Sequence, residues 1–234
     1  MKKKRTSWWF WGLAGRWAGF SLVLGVLGVG GVALGGLPSA EKRGLVGTST
    51  PLPKELREQM GGTSWREGCP VGLDELRLLS VPYRGPDGKT HWGRLIVAAS
   101  VAEELLQIFG ELFAESFVIE KLGLASAFLG SDERLMEANI TSAFNCRLAT
   151  GSKGKYSAHS YGSAIDINPR WNPYFKRGRV LPPAGKAYLE RSEAKPGLIR
   201  EGDAVVRAFV SRGWRWGGRF RSLQDYQHFE KRRD

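Results

Sequence analysis

Three histidines stand in the 234-residue sequence, His91, His159 and His228, and two of them lie in polar segments beside acidic residues. The first segment reads Ser157-Ala158-His159-Ser160-Tyr161-Gly162-Ser163-Ala164-Ile165-Asp166, and the second Asp225-Tyr226-Gln227-His228. A hydrolytic zinc site takes three ligands from His, Asp or Glu and leaves a fourth position open. It also needs a nearby carboxylate that does not bind the metal, to move the proton of the attacking water. His159, Asp166 and His228 supply such a ligand set, for one zinc ion per chain, and Asp225 supplies the spare carboxylate. By residue type alone the signal is modest. A lone histidine is more often a hydrogen-bonded structural residue, and two His with an Asp accept several divalent ions besides zinc.

Spacing sharpens it. Ser157 to Asp166 matches S-x-H-x-x-G-x-A-x-D at every fixed position, and Asp225 precedes His228 by three residues. This pair of motifs resembles the zinc D-alanyl-D-alanine carboxypeptidases and dipeptidases of VanX and VanY type and the L-alanyl-D-glutamate endolysins. These enzymes share the hedgehog/DD-peptidase fold. The segments around Cys69-Pro70-Val71, Thr141 to Arg147, Ile167-Asn168-Pro169 and Asn172-Pro173-Tyr174 are similar to an exported branch of that family, and the likeness spans residues 65–231. The resemblance implies zinc on His159, Asp166 and His228, with Asp225 as general base. It implies that Arg147 polarises the scissile carbonyl and that Ser157 bonds the substrate backbone. The substrate would be peptidoglycan stem peptides, cut as a D-alanyl-D-alanine carboxypeptidase or as an L-alanyl-D-glutamate endopeptidase. Asp at position 225, where many relatives carry Glu, tilts toward the endopeptidase. A non-catalytic wall-binding module that keeps its metal for structure is the rival from another class.

Other residues carry less. His91 opens a strand without an acidic neighbour in sequence and reads as exposed or structural. Tyr161 and Tyr226 flank ligands, where they either contact substrate or an oxyanion or simply pack. Trp214-Arg215-Trp216-Gly217-Gly218 lines a groove or covers the core with equal weight. Ser157 and Ser160 lack a nucleophile elbow, and no phosphate-cradling loop is present.

The elements that must hold these residues read as α+β, a small antiparallel sheet flanked by helices. Leu76–Tyr83 and Trp92–Ala98 alternate as strands around the Gly85-Pro86-Asp87-Gly88 turn, a hairpin. Ser100 to Glu103 has the form of a capping box before a helix over 100–115. Residues 117–124 read as a strand, 131–139 as a short helix and 202–213 as another. Ile165 and Ile167 alternate with Asp166 and Asn168 on a half-buried strand. Residues i and i+3 on a strand face opposite ways, so Asp225 must lie in a bend before the strand of His228.

Of the net charge of +12, half falls in residues 1–43, where Lys2, Lys3, Lys4, Arg5, Arg16, Lys42 and Arg43 face one acid, Glu41. Trp17 to Leu37 is free of charge, long enough to span a bilayer as a helix, and preceded by the aromatics Trp8, Trp9, Phe10 and Trp11. Residues 1–40 therefore read as an uncleaved transmembrane anchor rather than a cleaved signal, with the rest outside the membrane. Residues 41–65, rich in Gly, Ser, Thr and Pro, read as a flexible linker, and 66–234 as the peptidase domain. The charge sits at the membrane end, which argues against nucleic acid. Cys69 and Cys146 read as one disulfide, two buried thiols being the alternative. Oligomeric state is not legible.

Overall fold

The computed structural model describes residues 47–232, so the expected anchor over 1–40 lies outside the described residues. Among the described residues no helix is long and apolar enough to cross a membrane. The α+β class holds, with small, mostly antiparallel sheets and four short helices among the described residues.

Strand β1 (Thr48–Pro51) and helix α1 (Lys54–Met60) come first. Over residues 47–65 they correct the linker expectation, because β1 pairs with the strand Leu76–Arg84 and the helix is packed. The turn-rich composition hides Leu52, Leu56 and Met60, spaced four apart and all buried. That spacing is one helical face, and burying it outweighs a loop-forming composition.

β2 (Leu76–Arg84) and β3 (Thr90–Ala98) form the expected hairpin. Its turn is closed by the Asp87 carboxylate accepting from the Lys89 N–H at 3.0 Å. The strands are buried on both faces. Leu79, Val81, Leu95 and Val97 face one core, and Leu76 and Ile96 face the other with α1. Helix α2 (Ala102–Ala114) lays Leu105, Ile108, Phe109 and Leu112 on the first face. Each such side chain contributes about 1.5–3 kcal/mol by leaving water. The expected capping box does not form. Residues 99–101 make a 3-10 turn, and Val101 stands at the N-cap without a side-chain cap.

The expected strand over 117–124 is reduced to β4 (Lys121–Leu122). Its backbone is satisfied elsewhere: the Ile119 N–H donates to the Arg84 carbonyl and the Glu120 N–H to Asn168 Oδ1. Asn168, fully buried at φ 46, also donates to the Val118 and Gly197 carbonyls, so one side chain replaces a ladder. Helix α3 (Asp132–Glu137) is capped by the Ser131 hydroxyl, and β5 (Ile140–Thr141) pairs with β4 in parallel.

The remaining elements build the site. They are β6 (Ala164–Asp166), the hairpin of β7 (Tyr174–Lys176) and β8 (Arg179–Leu181), α4 (Ala204–Val210), β9 (Trp214–Trp216), β10 (Gln224–Asp225) and β11 (His228–Lys231). β11 lies between β6 and β9, with His228 opposite Asp166 and Glu230 opposite Ala164. Strand alternation sends Ile165 and Phe229 into the core, where Phe229 stacks on Phe209 of α4 at 4.2 Å. The same alternation turns Asp166, His228 and Glu230 to the other face.

Candidate active site

His159 sits in a 3-10 turn, Ala158–Tyr161, that is closed at both ends by its sequence. Ser157 caps the start, accepting from the His159 N–H at 3.4 Å. Gly162 ends the turn at φ 68, and its backbone approaches so near that a Cβ there would stand 2.5 Å from the Ala98 nitrogen. Only glycine satisfies both conditions. The His159 Nδ1 lies 2.6 Å from the Ala143 carbonyl, which accepts but never donates. In the neutral ring the proton is therefore on Nδ1, which leaves Nε2 as the nitrogen that could hold a metal ion.

That Nε2 stands 3.2 Å from His228 Nδ1 and 3.1 Å from Asp166 Oδ2, and His228 Nδ1 stands 2.9 Å from Asp166 Oδ1. All three residues are buried, and their ligand atoms gather within 4.8 Å of one another. Donors around a tetrahedral zinc ion at about 2.0–2.1 Å lie roughly 3.3 Å apart, so the set fits such an ion with little adjustment. The other nitrogen of His228, Nε2, lies 3.3 Å from Glu230 Oε2. Glu230 is held in turn by Arg215 at 3.1 Å. A carboxylate on the far side of a ligating imidazole fixes its tautomer and raises its basicity. Glu230 went unremarked in the sequence, although i, i+2 spacing on a strand always shares a face.

The charges respond to this crowding. Burial alone would raise the pKa of Asp166, but the charges and hydrogen bonds of His159 and His228 outweigh it and hold the carboxyl far below its ordinary range. Burial would lower His228, but bonds to Asp166 and Glu230 and the charges of Asp166 and Asp225 push it up to about 10. Asp225 moves the other way from Asp166. Burial raises it to about 6, with the charge of Asp166 adding and that of His228 opposing.

Asp225 ends β10, and residues 226–227 turn before β11, the bend its spacing from His228 required. Gly217 lies against it, so close that a Cβ would stand 2.4 Å from the Asp225 carbonyl oxygen and 2.8 Å from its Cβ. The Oδ1 of Asp225 is buried without a hydrogen-bond partner. Asp225, Arg147, Ser157 and the three ligands all line one cavity of about 340 Å³. Arg147 pairs with Asp132 at 2.9 Å and keeps a buried Nε without a partner. Its backbone is clamped by Ser160, whose Oγ accepts from the Arg147 N–H at 2.9 Å and donates to its carbonyl at 2.7 Å.

Cys69 and Cys146 form the disulfide, with Cα atoms 6.0 Å apart. Tyr161 and Tyr226 do not line the cavity. Tyr226 packs on the core beneath the Arg191 guanidinium, 4.3 Å from its ring. Trp214 and Trp216 are buried, which settles them as core cover. His91 does have an acidic neighbour: the hairpin turn brings Asp87 to 2.9 Å. The sequence reading gave no site role to Asp132, Lys155, Tyr174 and Lys176, which also line the cavity. Tyr174 stands opposite Asp225 across β7 and β10, and burial and that carboxylate raise its hydroxyl pKa. Only the fold brings these four residues to the candidate ligands.

No curated protein and no solved structure matches the chain. Residues 150–231 match a family model described as D-alanyl-D-alanine carboxypeptidase, a segment that holds all three candidate ligands and Asp225. Over that segment the chain is similar to the D-alanyl-D-alanine carboxypeptidase family of peptidases, as its two motifs implied.

Proposed function

We propose that the chain is a zinc-dependent peptidase hydrolysing amide bonds in peptidoglycan stem peptides, of D-alanyl-D-alanine carboxypeptidase type. The observation that carries this reading is the grouping, in one cavity, of three convergent ligand atoms with an unpartnered Asp225 oxygen and a clamped Arg147. When bound, zinc supplies Lewis acidity that polarises a carbonyl and makes water acidic near neutral pH. Asp225, with a pKa of about 6, is ionised at pH 7 yet basic enough to take the proton of the attacking water and pass it to the leaving amine. Arg147 stabilises the developing oxyanion, a contribution of about 3 kcal/mol for one such donor. Ser157 accepts from the His159 N–H and keeps its own O–H to donate to the peptide backbone. The disulfide and the basic, apolar N-terminal sequence support a site on the outer side of a membrane.

Asp at position 225 supports a second reading, cleavage between L-alanine and D-glutamate. Digestion of a stem pentapeptide by the purified, zinc-supplied chain, read by mass spectrometry, separates the two. Release of terminal D-alanine alone supports the carboxypeptidase. Cleavage after L-alanine transfers the reading to the endopeptidase. Tight peptide binding without any cleavage would leave the non-catalytic wall-binding module.

A further inference from the structure

The cavity wall is charged, and nearly all of its charges are matched. Asp132 pairs with Arg147, Asp166 with both imidazoles, and Glu230 with His228 and Arg215. Asp225 faces the charges of His228 and His159. Two side chains remain, Lys155 and Lys176. Both line the cavity, and neither has an ion-pair partner among the described residues.

Their backbones are fixed although their heads are free. Lys155 lies in a loop bridged at Leu148 and Tyr156. Its N–H donates to Ser152 Oγ at 2.9 Å, and its carbonyl accepts from the Ala149 N–H at 2.8 Å. The Tyr156 hydroxyl ties the loop to the Gly68 carbonyl at 2.8 Å. Two residues beyond Lys155, Ser157 begins the turn that carries His159. Lys176 ends β7, the strand paired to β10, with Tyr174 opposite Asp225. Tyr174 and Lys176 share a strand face, and both line the cavity. Lys176 is thus displaced from the position opposite the candidate base by two residues of strand, about 6.6 Å. That is the length of roughly two residues of an extended peptide.

We propose that Lys155 and Lys176 form an anion subsite that binds a carboxylate of the substrate within a residue or so of the bond that is cut. The inference rests on the peptidase reading and adds what the cavity selects. An ammonium carries a compact charge with three donors on a flexible stem, which suits a carboxylate without demanding planar pairing. Stem peptides offer two such groups, the C-terminal carboxylate of the last residue and the free α-carboxylate of γ-linked D-glutamate. Both present the same chemistry to the two lysines.

The test uses three peptides: a stem pentapeptide, its C-terminal amide, and its form with D-glutamate amidated to isoglutamine. Lys155→Met and Lys176→Met keep an unbranched side chain one atom shorter and remove its charge. On the free pentapeptide each is expected to raise KM about tenfold with kcat changed less than twofold, the usual loss for a charged hydrogen bond. Lys→Arg at each position is expected to recover most of that loss. The amidated peptide on which the Met penalty shrinks below twofold identifies the carboxylate that is bound. Equal KM for wild type and both variants on all three peptides, with zinc content and melting temperature unaltered, overturns the subsite and leaves the peptidase standing. If the wild type cleaves none of the three, the peptidase reading fails. Calorimetric binding of the same peptides to the same variants then decides the subsite alone, and lysine-independent binding rejects it.

Discussion

In the proposed peptidase Asp225 and Glu230 do different work although both are carboxylates near His228. Asp225 is unpartnered at Oδ1 and raised to about 6, so it must lose its proton to serve as a base. The expected kcat/KM therefore falls about tenfold per pH unit below pH 6, and Asp225→Asn loses roughly 10²–10⁴ in kcat while retaining zinc. A pH–rate profile with parallel metal analysis checks both, and loss of metal in the Asn variant would make Asp225 a ligand. Glu230 acts through His228. Glu230→Gln is expected to weaken zinc binding 10–100-fold, read by competition with a chelator. His228 is raised to about 10 without metal, so near pH 7 it is protonated, and metal must displace that proton. Affinity should then rise with pH between 6 and 9, with one proton released per ion, measured by calorimetry in buffers of different ionisation heat. A pH-independent affinity would contradict this protonation state.

At the scale of elements, the site depends on close backbone approaches. β11 carries His228 between β6 and β9, and the short stretch from Gly217 to Asp225 folds back on itself. An Ala side chain at 217 has no space, so Gly217→Ala must push β10 and Asp225 away from the ligands. A shift of about 1 Å in a catalytic group costs about 10² in rate. The expected outcome is a loss of that size in kcat with zinc content unaltered, and an active Gly217→Ala would show that Asp225 tolerates displacement. The β2–β3 hairpin, α2 and α4 were legible because their apolar residues repeat with period 2 or 3.6. The 117–124 segment was not, because the Asn168 amide that satisfies its backbone lies 48 residues from Glu120 in sequence. The α1 segment was not either, because its face of Leu56 and Met60 covers a sheet face that the sequence does not announce.

For the whole molecule, the disulfide joins the N-terminal segment to the residue before Arg147. It spans a sequence separation of 77, for which chain-entropy arguments give about 4–5 kcal/mol. Arg66 adds a bond from Nη1 to the Cys146 carbonyl at 2.9 Å. The Cys69→Ala, Cys146→Ala double variant is expected to lose 2–5 kcal/mol in denaturant unfolding. It should lose activity as well, because Arg147 follows directly in the chain. Stability unchanged by the double variant would show that the surrounding core alone holds the segment.

The candidate ligand set, the spare carboxylate, the arginine and the cysteine pair were all present as residue types at readable spacings. Such spacings reflect local geometry: four residues of turn between Ser157 and Gly162, one strand of alternation around Asp166, one bend between Asp225 and His228. Local sequence determines local backbone, so these features could be read without a fold. What only the tertiary structure decided are the matches between distant segments. The Ala143 carbonyl sets the tautomer of His159, Asp132 holds Arg147, and Gly217 admits Asp225. Lys155 and Lys176 come to the same cavity from a loop and from the end of β7. Each depends on packing around a shared core, and packing is a property of the folded chain as a whole, which no single stretch of sequence encodes.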